Sequence, residues 1–163
     1  MKIAVVADIH DNIVNLEKLV NWCNQQKVAA AICCGDITNS ETLSYFANEL
    51  KGRIYLIRGN MEIYEEAELK KYNNIEYCGR FGVAVVDGKN VGICHEPVFI
   101  KELLENNKCD LIFYGHTHKP WIEEKRGVKI INPGTLGGVF QKASFAIWDT
   151  SKAEIDLNLL ELI

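Results

Sequence analysis

The chain has 163 residues, 48% of them hydrophobic and 25% charged, which fits one soluble domain over 1–163 with a sizeable core. A net charge of −4 argues against an extended nucleic-acid surface, though not against an anionic substrate held by bound cations. No signal peptide precedes the first apolar run and no run could span a bilayer, so the expectation is a cytoplasmic protein without a membrane partner.

The first half alternates strand and helix patterns. Residues 2–7 read as a strand. Residues 12–26 read as a helix, with Ile13, Leu16, Leu19, Val20 and Cys23 on one face and Asp11 or Asn12 as its cap. A strand over 28–34 follows, then a helix over 41–50 capped by Asn39 or Ser40. Residues 53–57 read as a third strand, and the charged stretch 62–72 as a further helix. The second half favours hairpins. Strands over 81–86 and 89–94 flank Asp87-Gly88, a strong two-residue turn signal. Residues 97–107 resemble a helix with Pro97 in its first turn. Residues 110–114 read as a strand. Strands over 121–125 and 128–131 flank Arg126-Gly127, and a closing pair over 143–149 and 154–160 surrounds Thr150-Ser151-Lys152. The pattern fits an α/β fold: a four-layer αββα sandwich, two mixed β-sheets face to face with helices outside.

Five apolar runs end in residues that bind metals. Ile3-Ala4-Val5-Val6-Ala7 leads into Asp8 and His10, and Ala29 to Cys34 leads into Gly35-Asp36. Ile54-Tyr55-Leu56-Ile57 leads through Arg58 into Gly59-Asn60, and Val91-Gly92-Ile93-Cys94 leads into His95. Leu111-Ile112-Phe113-Tyr114 leads into Gly115-His116-Thr117-His118. In open α/β sheets, sites gather beyond the carboxyl ends of strands, so the five segments point to one shared site. Two carboxylates, one amide and four imidazoles exceed the needs of one ion and suit two ions with a bridging group. Taken singly, each piece has a plainer reading. Asp8 could cap the next helix, Gly35-Asp36 and Gly59-Asn60 are common turns, and His95 could be structural. Yet all 4 histidines lie at the ends of apolar runs. The 6 cysteines form no C-x-x-C pair, and several sit inside apolar runs as small hydrophobes.

Asp-x-His, Gly-Asp, Gly-Asn, His and Gly-His-x-His, in that order, together with Ile131-Asn132-Pro133-Gly134-Thr135, resemble the calcineurin-like metallophosphoesterase superfamily. The likeness covers essentially the whole chain and is nearest the small YfcE-type phosphodiesterases. It implies that Asp8, His10, Asp36 and His118 hold one metal. It implies that Asp36, Asn60, His95 and His116 hold a second, with Asp36 bridging. Asp36, Asn60 and His95 would thus sit at the catalytic centre, and the Asn132-Pro133-Gly134 turn beneath it. The implied reaction is hydrolysis of a small phosphodiester by a hydroxide bridging two divalent ions. Mn²⁺ is the first expectation; Zn²⁺, Fe²⁺, Ni²⁺ and Co²⁺ suit the same ligands. Two divalent ions, two carboxylates and one hydroxide leave a single net positive charge, matched to a diester monoanion. Relatives often self-associate, so a homo-oligomer is expected too.

Two departures bear on specificity. Larger phosphomonoesterases of the superfamily carry His after Gly-Asn to assist the leaving group; here stands Met61, which cannot donate a proton. Glu62 then replaces the usual Asp, and is read either as orienting a ligand histidine or as a solvated carboxylate. After His95, Glu96-Pro97 stands where glycine is common. Asn12 is read as a helix cap or a substrate contact, and Tyr64, Phe99 and Phe140 as packing rather than a cap over the site. Two other readings remain: a Vps29-like protein-binding scaffold, disfavoured because every ligand position is filled, and a phosphomonoesterase, disfavoured by Met61.

Overall fold

The computed structural model describes residues 1–106 and 108–163. The first half comprises β1 (Lys2–Val6), α1 (Ile13–Gln25), β2 (Ala30–Cys33), α2 (Ser40–Glu49), β3 (Arg53–Leu56) and β4 (Ile75–Tyr77). The second comprises β5 (Phe81–Val86), β6 (Lys89–Cys94), α3 (Ile100–Asn106), β7 (Leu111–Phe113), β8 (Trp121–Lys125), β9 (Val128–Asn132), β10 (Ser144–Asp149) and β11 (Glu154–Leu159).

The strands form two mixed sheets, ordered β11-β10-β1-β2-β3-β4 and β5-β6-β7-β9-β8. In the first, β1 to β4 run parallel, and β10 joins antiparallel to β1. In the second, β6, β7 and β9 run parallel, while β5 and β8 pair antiparallel at the edges. The expected four layers are present. The central apolar runs are continuous because both faces of their strands are buried. On β1, Ile3 and Val5 point between the sheets with Ile32, Ile93, Phe113 and Trp148. The alternate residues Ala4 and Val6 meet Leu16, Val20 and Phe46 of the outer helices. Beyond the second sheet, Cys94, Ile112 and Tyr114 pack with Ile100 and Leu103 of α3, so Cys94 faces away from His95 as strand alternation requires. Each such Val, Leu, Ile or Phe contributes about 1.5–3 kcal/mol on burial.

Local signals act where expected. Asn12 caps α1, its Oδ1 accepting from Asn15 N at 3.2 Å, and Asn39 caps α2, accepting from Thr42 N at 2.8 Å. Asp11 serves the second helix instead, accepting from Asn39 N and the Thr42 hydroxyl. Asp87-Gly88 and Arg126-Gly127 take positive φ at both residues, as tight hairpin turns need. All six cysteines are free.

One expectation fails, and one strand was not foreseen. Residues 62–72 are not an α-helix; only a 3₁₀ stretch, Glu66–Lys71, forms. The segment lacks a 3.6-residue apolar face, and Glu62 and Tyr64 both turn into the interior, which an α-helix could not allow two residues apart. The strand β4 was not foreseen, being three residues long with Glu76 at its centre. Over 97–107, a 3₁₀ turn, Pro97–Phe99, leads into α3; Asn107 lies outside the described residues. Among the described residues, no helix is long and apolar enough to cross a membrane.

Candidate metal centre

The parallel strands β1, β2 and β3 deliver Asp8, Asp36 and Asn60 to one edge of the first sheet. The parallel pair β6 and β7 delivers His95, and then His116 and His118, to the facing edge. All seven expected residues meet there. Asp8, Asp36 and His95 are buried and form the floor, His10 and His118 are half-buried, and Asn60 and His116 stand open to solvent.

Two sets of atoms converge. In one, His118 Nε2 lies 3.2 Å from Asp8 Oδ1 and 3.2 Å from His10 Nε2, and His10 Nε2 lies 3.8 Å from Asp36 Oδ2. In the other, His95 Nε2 lies 3.2 Å from Asp36 Oδ2, 2.9 Å from Asn60 Oδ1 and 3.3 Å from His116 Nδ1. Asn60 Oδ1 is 3.0 Å from His116 Nδ1. Asp36 Oδ2 belongs to both sets.

Backbone carbonyls decide which ring nitrogens face inward. His95 Nδ1 is 2.7 Å from Cys34 O, and His118 Nδ1 is 3.0 Å from Val139 O. A carbonyl only accepts, so each Nδ1 carries the hydrogen and each Nε2 presents a lone pair. The His95 Nε2 lone pair then faces the lone pairs of Asn60 Oδ1 at 2.9 Å and Asp36 Oδ2 at 3.2 Å, contacts that repel unless a positive charge lies among them. Imidazole nitrogen, amide oxygen and carboxylate oxygen are together a donor set for a divalent transition-metal ion.

The charges tell the same story. Burial opposes ionisation of Asp8 and raises its pKa despite the nearby His95 and His118. Burial also acts against Asp36, but the hydrogen bond and charge of His95 and the Met61 N–H overcome it and lower the pKa. Burial opposes a charged His95, yet the hydrogen bond and charge of Asp36 outweigh it and raise the pKa. The opposite shifts of Asp36 and His95 are those of an oppositely charged pair that favours carboxylate and imidazolium together.

The backbone is strained where it delivers these groups. Asp8, His10, Asp36, His116 and His118 all have φ between 47° and 70°, a region costly for residues with a Cβ. Buried bonds hold them there. The His116 N–H donates to both Asp8 oxygens at 3.2 and 3.0 Å, and the Thr135 hydroxyl donates to Asp8 O at 2.9 Å. Gly35 has φ +91°, and a Cβ on it would fall 2.7 Å from Gly59 N, so the two ligand-bearing loops touch backbone to backbone.

Around the ligands, several assignments resolve. The Asn132 side chain donates to Gly115 O at 2.9 Å and to Thr117 Oγ1 at 3.0 Å, supporting the His116–His118 loop from below. Asn12 Nδ2 donates to Gly137 O at 2.9 Å, so both ends of this cap are used within the protein. Glu62 neither lies in solvent nor reaches a histidine. It is buried and accepts from Ile37 N at 3.3 Å, and burial and the charge of Asp36 beside it raise its pKa. Glu96 pairs with Arg80 at 2.9 Å on the surface. Tyr64 is core and Phe99 stacks on Phe81, whereas Phe140 is free. The carbonyls of Cys34 and Val139 were not foreseen, because a backbone carbonyl has no sequence signature.

The model for the calcineurin-like phosphoesterase superfamily domain matches residues 1–153. Phosphodiesterase MJ0936 of Methanocaldococcus jannaschii is 29% identical over 99% of this chain and 100% of its own length. A solved archaeal phosphodiesterase superposes with a TM-score of 0.88 at 27% identity, covering 98% of this chain and 99% of the other. A Vps29 from Entamoeba histolytica, complexed with zinc, shares the fold alone: TM-score 0.72 at 16% identity, over 96% and 90% of the two chains. Sequence, fold and the seven converging side chains agree, and the chain belongs to the calcineurin-like phosphoesterase superfamily.

Proposed function

We propose that this chain is a metal-dependent phosphodiesterase with a dinuclear centre. Asp8, His10, Asp36 and His118 would hold one divalent ion, and Asp36, Asn60, His95 and His116 the other. Bound there, such ions supply positive charge to a phosphoryl oxygen and activate a water as nucleophile near neutral pH. The observation that carries the reading is the cluster of inward lone pairs from His95, Asn60 and Asp36. The chain's own residues do the positioning. Cys34 O and Val139 O aim two imidazoles, and the His116 N–H fixes Asp8. Asn60 and His116 lie on the open side, where a phosphate can approach. Met61 offers no proton to a leaving group, which favours diesters whose leaving group departs unaided. The names of MJ0936 and of the solved archaeal relative support the same substrate class.

The test is metal content and bis-p-nitrophenyl phosphate hydrolysis with Mn²⁺, for the native chain, Asp36→Asn and His95→Ala. Both variants should lose metal and activity while remaining folded. Equal activity in all three would end the catalytic reading. Metal uptake without hydrolysis would favour a scaffold of the Vps29 kind.

A further inference from the structure

Phe140 is the most exposed large apolar side chain among the described residues, at 90%. Its φ of 62° is one that bulky residues avoid. The segment carrying it is pinned to the site. Val139 O accepts from His118 Nδ1 at 3.0 Å, and Gly137 N donates to Asp8 O at 2.9 Å. From α1, Asn15 Nδ2 donates to Leu136 O at 2.8 Å and Asn12 Nδ2 to Gly137 O at 2.9 Å. The ring is therefore presented on a fixed support. Its centroid is 6.0 Å from that of His118, at a 34° tilt, and the rest of its surface meets solvent.

At the other ligand set, Met61 follows Asn60 and donates its N–H to Asp36 at 2.8 Å, with its side chain 51% exposed. Ile63, two residues on, is 73% exposed. Both ligand sets thus border on apolar surface. A diester carries an organic arm on each side of its phosphate, whereas a monoester carries one. An arm lying toward His118 would meet the face of Phe140, and a flat π-system is what such a face holds best.

We propose that Phe140 is a specificity-determining platform that stacks against a planar aromatic arm, aryl or nucleobase, of the phosphodiester; this rests on the phosphodiesterase reading above. The test uses Mn²⁺-loaded protein and three diesters sharing p-nitrophenolate as leaving group, with methyl, phenyl or thymidine 5′ as the other arm. The shared leaving group cancels in the ratio of kcat/KM values. In Phe140→Ala, the ratio of aromatic-armed to methyl diester should fall about tenfold, and in Phe140→Trp it should hold. A greater fall for thymidine identifies a nucleobase arm, and a greater fall for phenyl an aryl arm. An undiminished ratio in Phe140→Ala overturns the platform.

A second arm measures calorimetric binding of thymidine 5′-monophosphate against methyl phosphate. Preference for the nucleotide should shrink about tenfold in Phe140→Ala. Absence of any preference in native protein also overturns the platform. If the native chain hydrolyses none of the diesters, the phosphodiesterase reading fails, and the binding arm alone decides on Phe140.

Discussion

Gly59 presses against Asp36: a Cβ built on it would collide with Asp36 Oδ1 and fall 2.5 Å from Asp36 N. The carboxylate common to both ligand sets therefore leans on bare backbone, one residue before Asn60. Gly59→Ala should push Asp36 out of register. Metal affinity should fall at least about tenfold, with a stability loss of about 1–3 kcal/mol from overpacking. Metal content after dialysis and a denaturation curve check both. Full metal loading in the variant would mean that the loop yields without moving the ligand.

Asn132 is fully buried, and its side chain makes three bonds: to Gly115 O, to Thr117 Oγ1 and from Gly134 N. None involves a ligand atom, yet two of them hold the His116–His118 loop. Asn132→Ala leaves buried polar groups unpaired and should cost on the order of 2–4 kcal/mol. It should also weaken metal binding although all seven ligands remain. A variant that unfolds at lower denaturant but binds metal as the native chain does would limit Asn132 to stability.

Glu62 should make stability in the presence of a chelator pH-sensitive. Burial, then the charge of Asp36, push its carboxyl from 4.5 up to about 7. A raised folded-state pKa means that the folded state holds more protons between those values. Stability of the metal-free chain should therefore decline as pH rises from about 4.5 to about 7, by on the order of 3 kcal/mol. Asp8, also raised, acts in the same direction, while the lowered Asp36 acts below this window. Glu62→Gln should flatten the decline. Urea unfolding with a chelator at about pH 5 and about pH 7.5 reads the difference. An equally steep decline in the variant would assign the effect elsewhere.

Met61 stands beside Asn60 with no transferable proton. The native chain should hydrolyse a p-nitrophenyl diester faster than the matched monoester, and should slow steeply as the leaving group becomes more basic. Met61→His would introduce a proton donor and should shrink that dependence. Faster hydrolysis of the monoester by the native chain would contradict the assignment.

Much of the site was legible before any fold was known. Asp8, Asp36 and His95 each follow an apolar run, and such runs are continuous because their strands are buried on both faces. Strand direction then places Asp8 and Asp36 at one edge of the first sheet and His95 at the facing edge of the second, so these candidates could be read from residue type and position alone. Glu62 shows the limit. It opens a charged stretch that reads as solvent-exposed, but the fold buries it against Asp36 and Ile37. The strand β4 was invisible for a similar reason: three residues around Glu76 join the sheet because β3 offers an unpaired edge.

The sequence by itself determined the sheet-forming runs, the tight turns and the identity of the seven side chains proposed as metal ligands, since these depend on residue type and short-range spacing. Only the tertiary structure decided which ring nitrogen of His95 and His118 faces inward, what Glu62 touches, and that Phe140 stands free beside His118. Those outcomes depend on backbone carbonyls and on contacts between distant segments. Every residue carries the same carbonyl, so nothing in the order of side chains marks the one that will be met.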